Sequence, residues 1–333
     1  MLAIKMKTVR LAIATGLLTM GLSSGAAMAD TWKCYTYHPS ATHAVFEGIV
    51  KIMERLREAT GGKMEFKCNV GGSLPIEANS IVPALGDNVI DFATTGFVSG
   101  VVPVAGIVGL PGLFGSADEV RKGINAAYPD ISKEFERIGV VLLSAYIYPR
   151  QVIWSKGNVP TLADLAGKSV RVTTVEQAEF VKAFGSVPLT IGTADVATSL
   201  QRGVASVVLT AAAGGGRLWI DLLDHTSNVG PNFSVGYILA SKAKFDTLAE
   251  DQQQALMEIA DEEGAAITKR LGDENAALLV DFAANKGLTV TPENADQEKL
   301  LTETMTPYWD IWAKDRGDLA VKVLADVKAA LGR

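Results

Sequence analysis

Residues Trp32 to Tyr37 alternate apolar and polar side chains, the period of two that predicts a strand. Ser40 to Thr60 then changes period. Val45, Phe46, Ile49, Ile52, Met53 and Leu56 fall on one helical face, and Gly61-Gly62 stops the run. Met64 to Cys68 predicts a second strand, Asn79 to Leu85 a short helix containing Pro83, and Ile90 to Thr94 a third strand. This β-α-β-α-β order predicts a parallel sheet covered by helices. A helix is expected over Asp118 to Ile138, cut in two at Pro129-Asp130, followed by a buried strand in VVLLSAYIYP.

From there the pattern starts afresh. Ser169 to Val172 and Val187 to Ile191 read as strands separated by a helix from Val175 to Phe184. A helix over Ala194 to Arg202 and a strand over Val204 to Leu209 follow. The small-residue run Thr210 to Gly216 reads as a hinge or turn, and Trp219 to Leu223 as a short helix. Ser234 to Ala240 alternates as a strand, and one long helix is expected from Asp246 to about Asn285. Leu288 to Val290 is a short strand, and Glu298 onward is helical to the end. The pattern implies two interleaved α/β lobes with no flexible tether.

Two positions break the hydrophobic rule. Arg150 follows the buried run, and Arg171 alternates with valines in SVRV. A guanidinium in an apolar strand calls for a planar anion, so the pair suggests a carboxylate clamp. The bland alternative is one internal salt bridge plus one arginine whose head reaches water, and the residues alone leave both open. Tyr37-His38-Pro39 and Thr94-Thr95-Gly96, at the ends of the first and third strands, would share one ligand-facing rim.

The beginning of the chain reads as an export signal: Lys5, Lys7 and Arg10, the apolar stretch Leu11 to Leu22, and a small-x-small site at Ala27-Met28-Ala29. Cleavage there removes three basic residues and no acid, taking the formal charge from −6 to −9. That balance argues against nucleic acid or anionic membrane as partners. In an oxidising compartment Cys34 and Cys68 read as a disulfide. Three histidines, His38, His43 and His225, form no metal-ligand pattern. Asp224-His225-Thr226 reads as a polar loop without a nucleophile turn, the pairs Asp118-Glu119 and Glu262-Glu263 as solvated faces, and no phosphate loop is present. The expectation is a binding protein without cofactor or metal, not an enzyme.

At this point Trp32 to Lys328 resembles the solute receptors of TRAP (tripartite ATP-independent periplasmic) transporters, DctP type. The resemblance rests on Arg150, Ser155, Lys156, Asp164, Leu165, Gly167, Lys168 and Arg171, in the order R…SKG…DL-x-GK-x-VRV. It is supported by Gly71 to Leu74, Ile90-Asp91, Leu110 to Phe114 and Asp195 to Val204. What the resemblance implies is a two-lobed periplasmic-binding-protein (Venus flytrap) fold, α/β, with interleaved lobes and a long connecting helix. Residues 1–29 would be the signal peptide, cleaved near Ala29. Residues 30–147 with about 236–275 would form lobe I, and 148–235 with about 276–333 lobe II. It further implies an organic acid as ligand, TRAP membrane subunits as partners and a periplasmic location. Arg171 takes the place of the principal carboxylate-binding arginine and Arg150 of the secondary one. Thr210 stands where the family has Asn, and Thr173-Thr174 where it has Pro-Asn. Tyr35, Tyr37, Phe97, Trp154 and Trp219 could offer ring contacts, with Thr95 on the rim, which favours a monocarboxylate with an apolar or aromatic body over a dicarboxylate. The competing classes are the binding component of an ATP-driven importer, a sensor-linked receptor, and an exported enzyme.

Overall fold

The structure is a computed structural model and describes residues 30–38 and 40–333. The expected export signal and the rim residue Pro39 lie outside the described residues. In chain order the strands are β1 (Asp30–Thr36), β2 (Met64–Asn69), β3 (Phe92–Thr95), β4 (Val140–Ile147), β5 (Gln151–Ser155), β6 (Ser169–Val172), β7 (Val187–Thr190), β8 (Val207–Thr210), β9 (His225–Asn232), β10 (Val235–Ser241) and β11 (Thr289–Thr291). The helices are α1 (Ala44–Ala59), α2 (Ile81–Gly86), α3 (Ala117–Arg137), α4 (Val175–Ala183), α5 (Val196–Gln201), α6 (Arg217–Trp219), α7 (Lys242–Phe245), α8 (Glu250–Asn285), α9 (Ala295–Asp315) and α10 (Asp318–Ala330).

The strands make two sheets, ordered β2-β1-β3-β10-β4 and β11-β9-β5-β8-β6-β7. The expected parallel pairing holds for β1 with β2 and β3. It fails at β10, which runs antiparallel to β3 and β4, and at β5, antiparallel to β8 and β9. The reason is the crossing of the chain: it leaves the first sheet after β4 and returns as β10 from the other end. The two crossing segments are bonded to each other, Tyr148 N donating to Ser234 O at 2.8 Å.

Each sheet buries both faces, as alternating strand positions require. On the first, Tyr35, Ala93, Leu142 and Leu239 meet α2, α3 and α10, while Trp32, Phe92, Leu143 and Ile238 meet α1 and α8. On the second, Ile153, Val170, Val172 and Leu209 pack with Leu301 and Met305 of α9. Its other face sets Val152, Trp154 and Val208 against Trp219, Leu200 and Phe282. Helix α8 serves both sheets: Leu256 to Leu271 lie in the first core and Phe282 in the second. At 36 residues and 1.5 Å per residue it spans about 54 Å. Among the described residues no helix is long and apolar enough to cross a membrane.

Several expectations are corrected. Helix α3 runs unbroken through Pro129, because Ile124 and Ala127 on one side and Ile131 and Phe135 on the other bury along a single face. The last helix is instead divided at Gly317, whose φ of 90° suits glycine. His225 lies in β9, not in a loop. The ring accepts from Val159 N at 3.4 Å and pairs with the Thr291 hydroxyl at 2.9 Å, pinning β9 to β11. Glu263 is buried on α8 between Arg55 and Arg270 instead of facing solvent. The expected boundary put 276–333 with the second sheet. In the structure α9 straddles the two, Trp309 and Trp312 entering the first core, and α10 packs on α3. Cys34 and Cys68, opposite one another on β1 and β2, form a disulfide.

Candidate functional site

Arg171 pairs across β6 with Val208 of β8, which puts its side chain on the Trp154 and Trp219 face of the second sheet. It is 4 % exposed. Its Nε donates to the Ile191 carbonyl at 3.0 Å, and the guanidinium carbon stands 5.3 Å from the centre of the Trp219 ring. Among the described residues no carboxylate pairs with it, and its two terminal nitrogens donate no hydrogen bond to protein. Burial lowers its pKa from 12.5 to about 10, which still leaves it charged at neutral pH. A cation held this way is costly unless an anion joins it.

Trp219 is positioned by the small-residue turn before it. A Cβ on Gly215 would stand 2.1 Å from the Trp219 ring, so glycine is needed for the indole to fold back over Arg171. The Thr210 hydroxyl accepts from Gly215 N at 2.8 Å, and Trp154 Nε1 donates to Thr210 O at 3.0 Å. Thr210 and the fully buried Trp154 thus brace the turn. Thr173 is also engaged, its N and hydroxyl donating to Gln177 Oε1 at 2.8 and 2.9 Å.

Arg150 has a different environment. It donates from Nε to Gly230 O at 3.0 Å, pairs tightly with Glu298, and stands 3.7 Å from Glu293. Glu298 belongs to α9, which covers the opposite face of the sheet from Trp219. The two expected clamp arginines are therefore not brought together, and the salt-bridge alternative describes Arg150. A cavity of about 460 Å³ beside it is lined by Gly112, Phe114, Glu298, Thr302 and Arg333. Its arginines are already paired, Arg333 with Glu119, so it offers an anion less than Arg171 does.

The rim of the first sheet is neutral and aromatic. Thr94 and Thr36 hydroxyls meet at 3.0 Å, and Phe97 packs edge-on to Tyr37 with centroids 5.2 Å apart. Thr95 closes a turn by accepting from Phe97 N at 3.1 Å. The Tyr37 and Tyr148 hydroxyls lie 3.0 Å apart, and Tyr148 reaches His38 Nε2 at 2.7 Å. His38 stacks on His43 at 3.8 Å. Burial lowers the pKa of both imidazoles, His43 to about 4, and the positive charge of Arg217 adds to the effect. Burial also raises Tyr37 to about 12. The sequence reading missed Tyr148 and His43 as rim members; the only hint was that Tyr148 starts the crossing segment Tyr148-Pro149-Arg150.

One contact links the second sheet to the far side. Glu176, in the first turn of α4, is buried and accepts from Trp312 Nε1 at 2.9 Å and Arg316 at 3.0 Å. A Cβ on Gly106, in the 3-10 segment Pro103–Gly109, would stand 3.3 Å from Glu176 Oε1.

Two interleaved sheets and a bridging helix thus frame a buried cation that has no carboxylate partner among the described residues. The chain belongs to the bacterial extracellular solute-binding protein family 7 (DctP), whose profile matches residues 35–315. By its description this is a family of solute binders, not enzymes. The chain is 26 % identical over 294 residues to the 2,3-diketo-L-gulonate-binding periplasmic protein YiaO of Escherichia coli K12, covering 84 % of this chain and 87 % of that one. Among solved structures it is similar to a marine metagenome TRAP solute-binding protein specific for pyroglutamate, with TM-score 0.81, 23 % identity, and coverage of 91 % and 99 %. It is also similar to a TRAP periplasmic solute-binding protein from Desulfovibrio salexigens with bound orotic acid, with TM-score 0.83, 18 % identity, and coverage of 91 % and 99 %.

Proposed function

We propose that this chain captures a small organic acid between its two lobes, with Arg171 as the receptor for the carboxylate. The observation that carries the reading is the buried guanidinium with both terminal nitrogens free of protein partners. Those nitrogens form the fork that a carboxylate meets with two parallel hydrogen bonds. The Trp219 ring, 5.3 Å from the guanidinium carbon, stands over the fork as a cation–π partner. The named ligands of the similar proteins, diketogulonate, pyroglutamate and orotate, are all carboxylic acids, which supports the same class here.

In this reading Tyr37 and Phe97 contact the body of the ligand. Thr210, Thr173, Thr95 and Trp154 hold the loops that surround it, and Arg150 fixes the crossing segment to α9. Residues 1–29 serve as an export signal cleaved near Ala29, and the loaded protein delivers its acid to TRAP membrane subunits. A thermal-shift screen against aromatic acids, 2-oxo acids, sugar acids and dicarboxylates tests the reading. An acid at 100 times its Kd adds about 2.7 kcal/mol of stability and raises Tm by several degrees. The shift should vanish in Arg171→Ala; a shift that survives that substitution overturns the assignment.

A further inference from the structure

Of the four arginines Arg150, Arg171, Arg217 and Arg316, three have carboxylates. Arg150 is held by Glu298, Arg217 by Glu274 and Arg316 by Glu176. Of these four, Arg171 alone has no carboxylate partner among the described residues. The rim of the first sheet adds no cation: Thr36, Tyr37, His38, His43, Thr94, Phe97 and Tyr148 are uncharged when the imidazoles are neutral. Packing keeps them neutral. His38 lies between the Tyr37 ring at 4.0 Å and the His43 ring at 3.8 Å, and its Nε2 meets the Tyr148 hydroxyl. His43 Nδ1 accepts from Val45 N at 3.2 Å, which leaves the ring's proton on Nε2. Helix α6 links this wall to the anion receptor. Trp219 caps Arg171, and Arg217, two residues earlier, acts electrostatically on both imidazoles.

A ligand that reaches from Arg171 to the rim meets hydroxyls and imidazoles, and the cation that acts on them, Arg217, is already paired with Glu274. A second carboxylate would lose its water and gain no counter-ion, which is costly. A neutral carbonyl, amide or hydroxyl would exchange water for comparable hydrogen bonds. Resting on the Arg171 reading, we propose that the site selects monocarboxylates whose other end is uncharged and polar, and that the Tyr37–Tyr148–His38 chain with His43 is the determinant of that selectivity.

The test is isothermal titration of the protein recovered from expression of the full chain, with probes matched in skeleton. Glutaramate is compared with glutarate and succinamate with succinate, and the unmatched acids pyroglutamate, orotate, 2-oxoglutarate and malate widen the panel. The tightest monoacid is expected to bind at least thirtyfold better than any diacid, and Arg171→Ala to abolish both. Tyr37→Phe and Tyr148→Phe are expected to weaken the best monoacid at least tenfold and to narrow its margin over the diacids. A diacid that binds as tightly as the best monoacid, and is lost in Arg171→Ala, overturns the selectivity while leaving the carboxylate receptor standing. Selectivity unchanged in both tyrosine variants overturns the assignment of the determinant. Failure of every acid, or binding indifferent to Arg171→Ala, removes the receptor reading and this inference together.

Discussion

Arg150 and Arg171 belong to the same sequence motif, and both are largely buried, yet they have opposite electrostatic situations. Arg150 is satisfied from within by Glu298 and the Gly230 carbonyl. Among the described residues Arg171 has one carbonyl, one aromatic ring and no anion. A buried charge with an internal partner is part of the architecture, whereas one without a partner is held ready for something that arrives. The contrast separates an arginine paired within the fold from the one proposed to bind, where residue type and sequence context do not.

The largest effect should come from Arg171→Ala. Acid affinity is expected to fall more than a hundredfold, about 3 kcal/mol or more by titration calorimetry, because the carboxylate would be desolvated without a partner. The melting temperature of the ligand-free protein should stay constant or rise, since an uncompensated buried charge is removed. Arg171→Lys should also bind poorly, as a point charge cannot reproduce the fork.

Acid should next separate the two sides of the cleft. Arg171 keeps its charge at every pH below about 10, but the rim does not stay neutral without cost. An unfolded histidine takes up its proton below 6.5, while folded His43 resists until about 4. The unfolded state therefore binds more protons in that window, and stability falls as pH falls through it. The expected loss from His43 is on the order of 3 kcal/mol, with a further loss in the same direction from His38, read from urea unfolding at pH 7 and pH 4.5.

Arg150→Ala reverses the first experiment. Stability should drop by about 2 kcal/mol because Glu298 is left half-buried and unpaired, while acid affinity stays within about fivefold. Adding Glu298→Gln should restore most of the loss, because the orphaned charge is then gone. At the small end, Lys269→Ala removes the exposed pair with Asp273 on α8 and should change stability by less than about 0.5 kcal/mol.

How much of this was legible depends on the range of the interaction. Arg171 stood out because valines flank it in a four-residue strand, and periodicity is local. Arg150 looked the same because its partner, Glu298, is 148 residues away. The disulfide was legible as two cysteines in neighbouring strand patterns, and α8 as an uninterrupted helical run. Strand β9 was not, since HTSNVGPN carries a glycine, a proline and five polar residues, and becomes a strand only through pairing with β5 and β11. Pro129 was misread for a similar reason: packing on either side outweighs one missing hydrogen bond. The rim was half legible. Strand ends located Tyr37, Thr95 and Phe97, but only the fold brings Tyr148 to His38 from 110 residues away.

The place of β10 governs how such a chain comes into being. Synthesis delivers β1 to β4 first, yet β3 and β4 do not touch as neighbours; each pairs with β10, which is made only after nearly all of the second sheet. Until then both strands present bare N–H and C=O edges, the kind that recruit wrong partners. The Cys34–Cys68 bridge ties β1 to β2 at the far side and leaves those edges untouched. The first sheet is therefore complete only when β10 has been made, whereas the second contains no strand of the first. What closes the gap between β3 and β4 is a strand that returns from the other lobe.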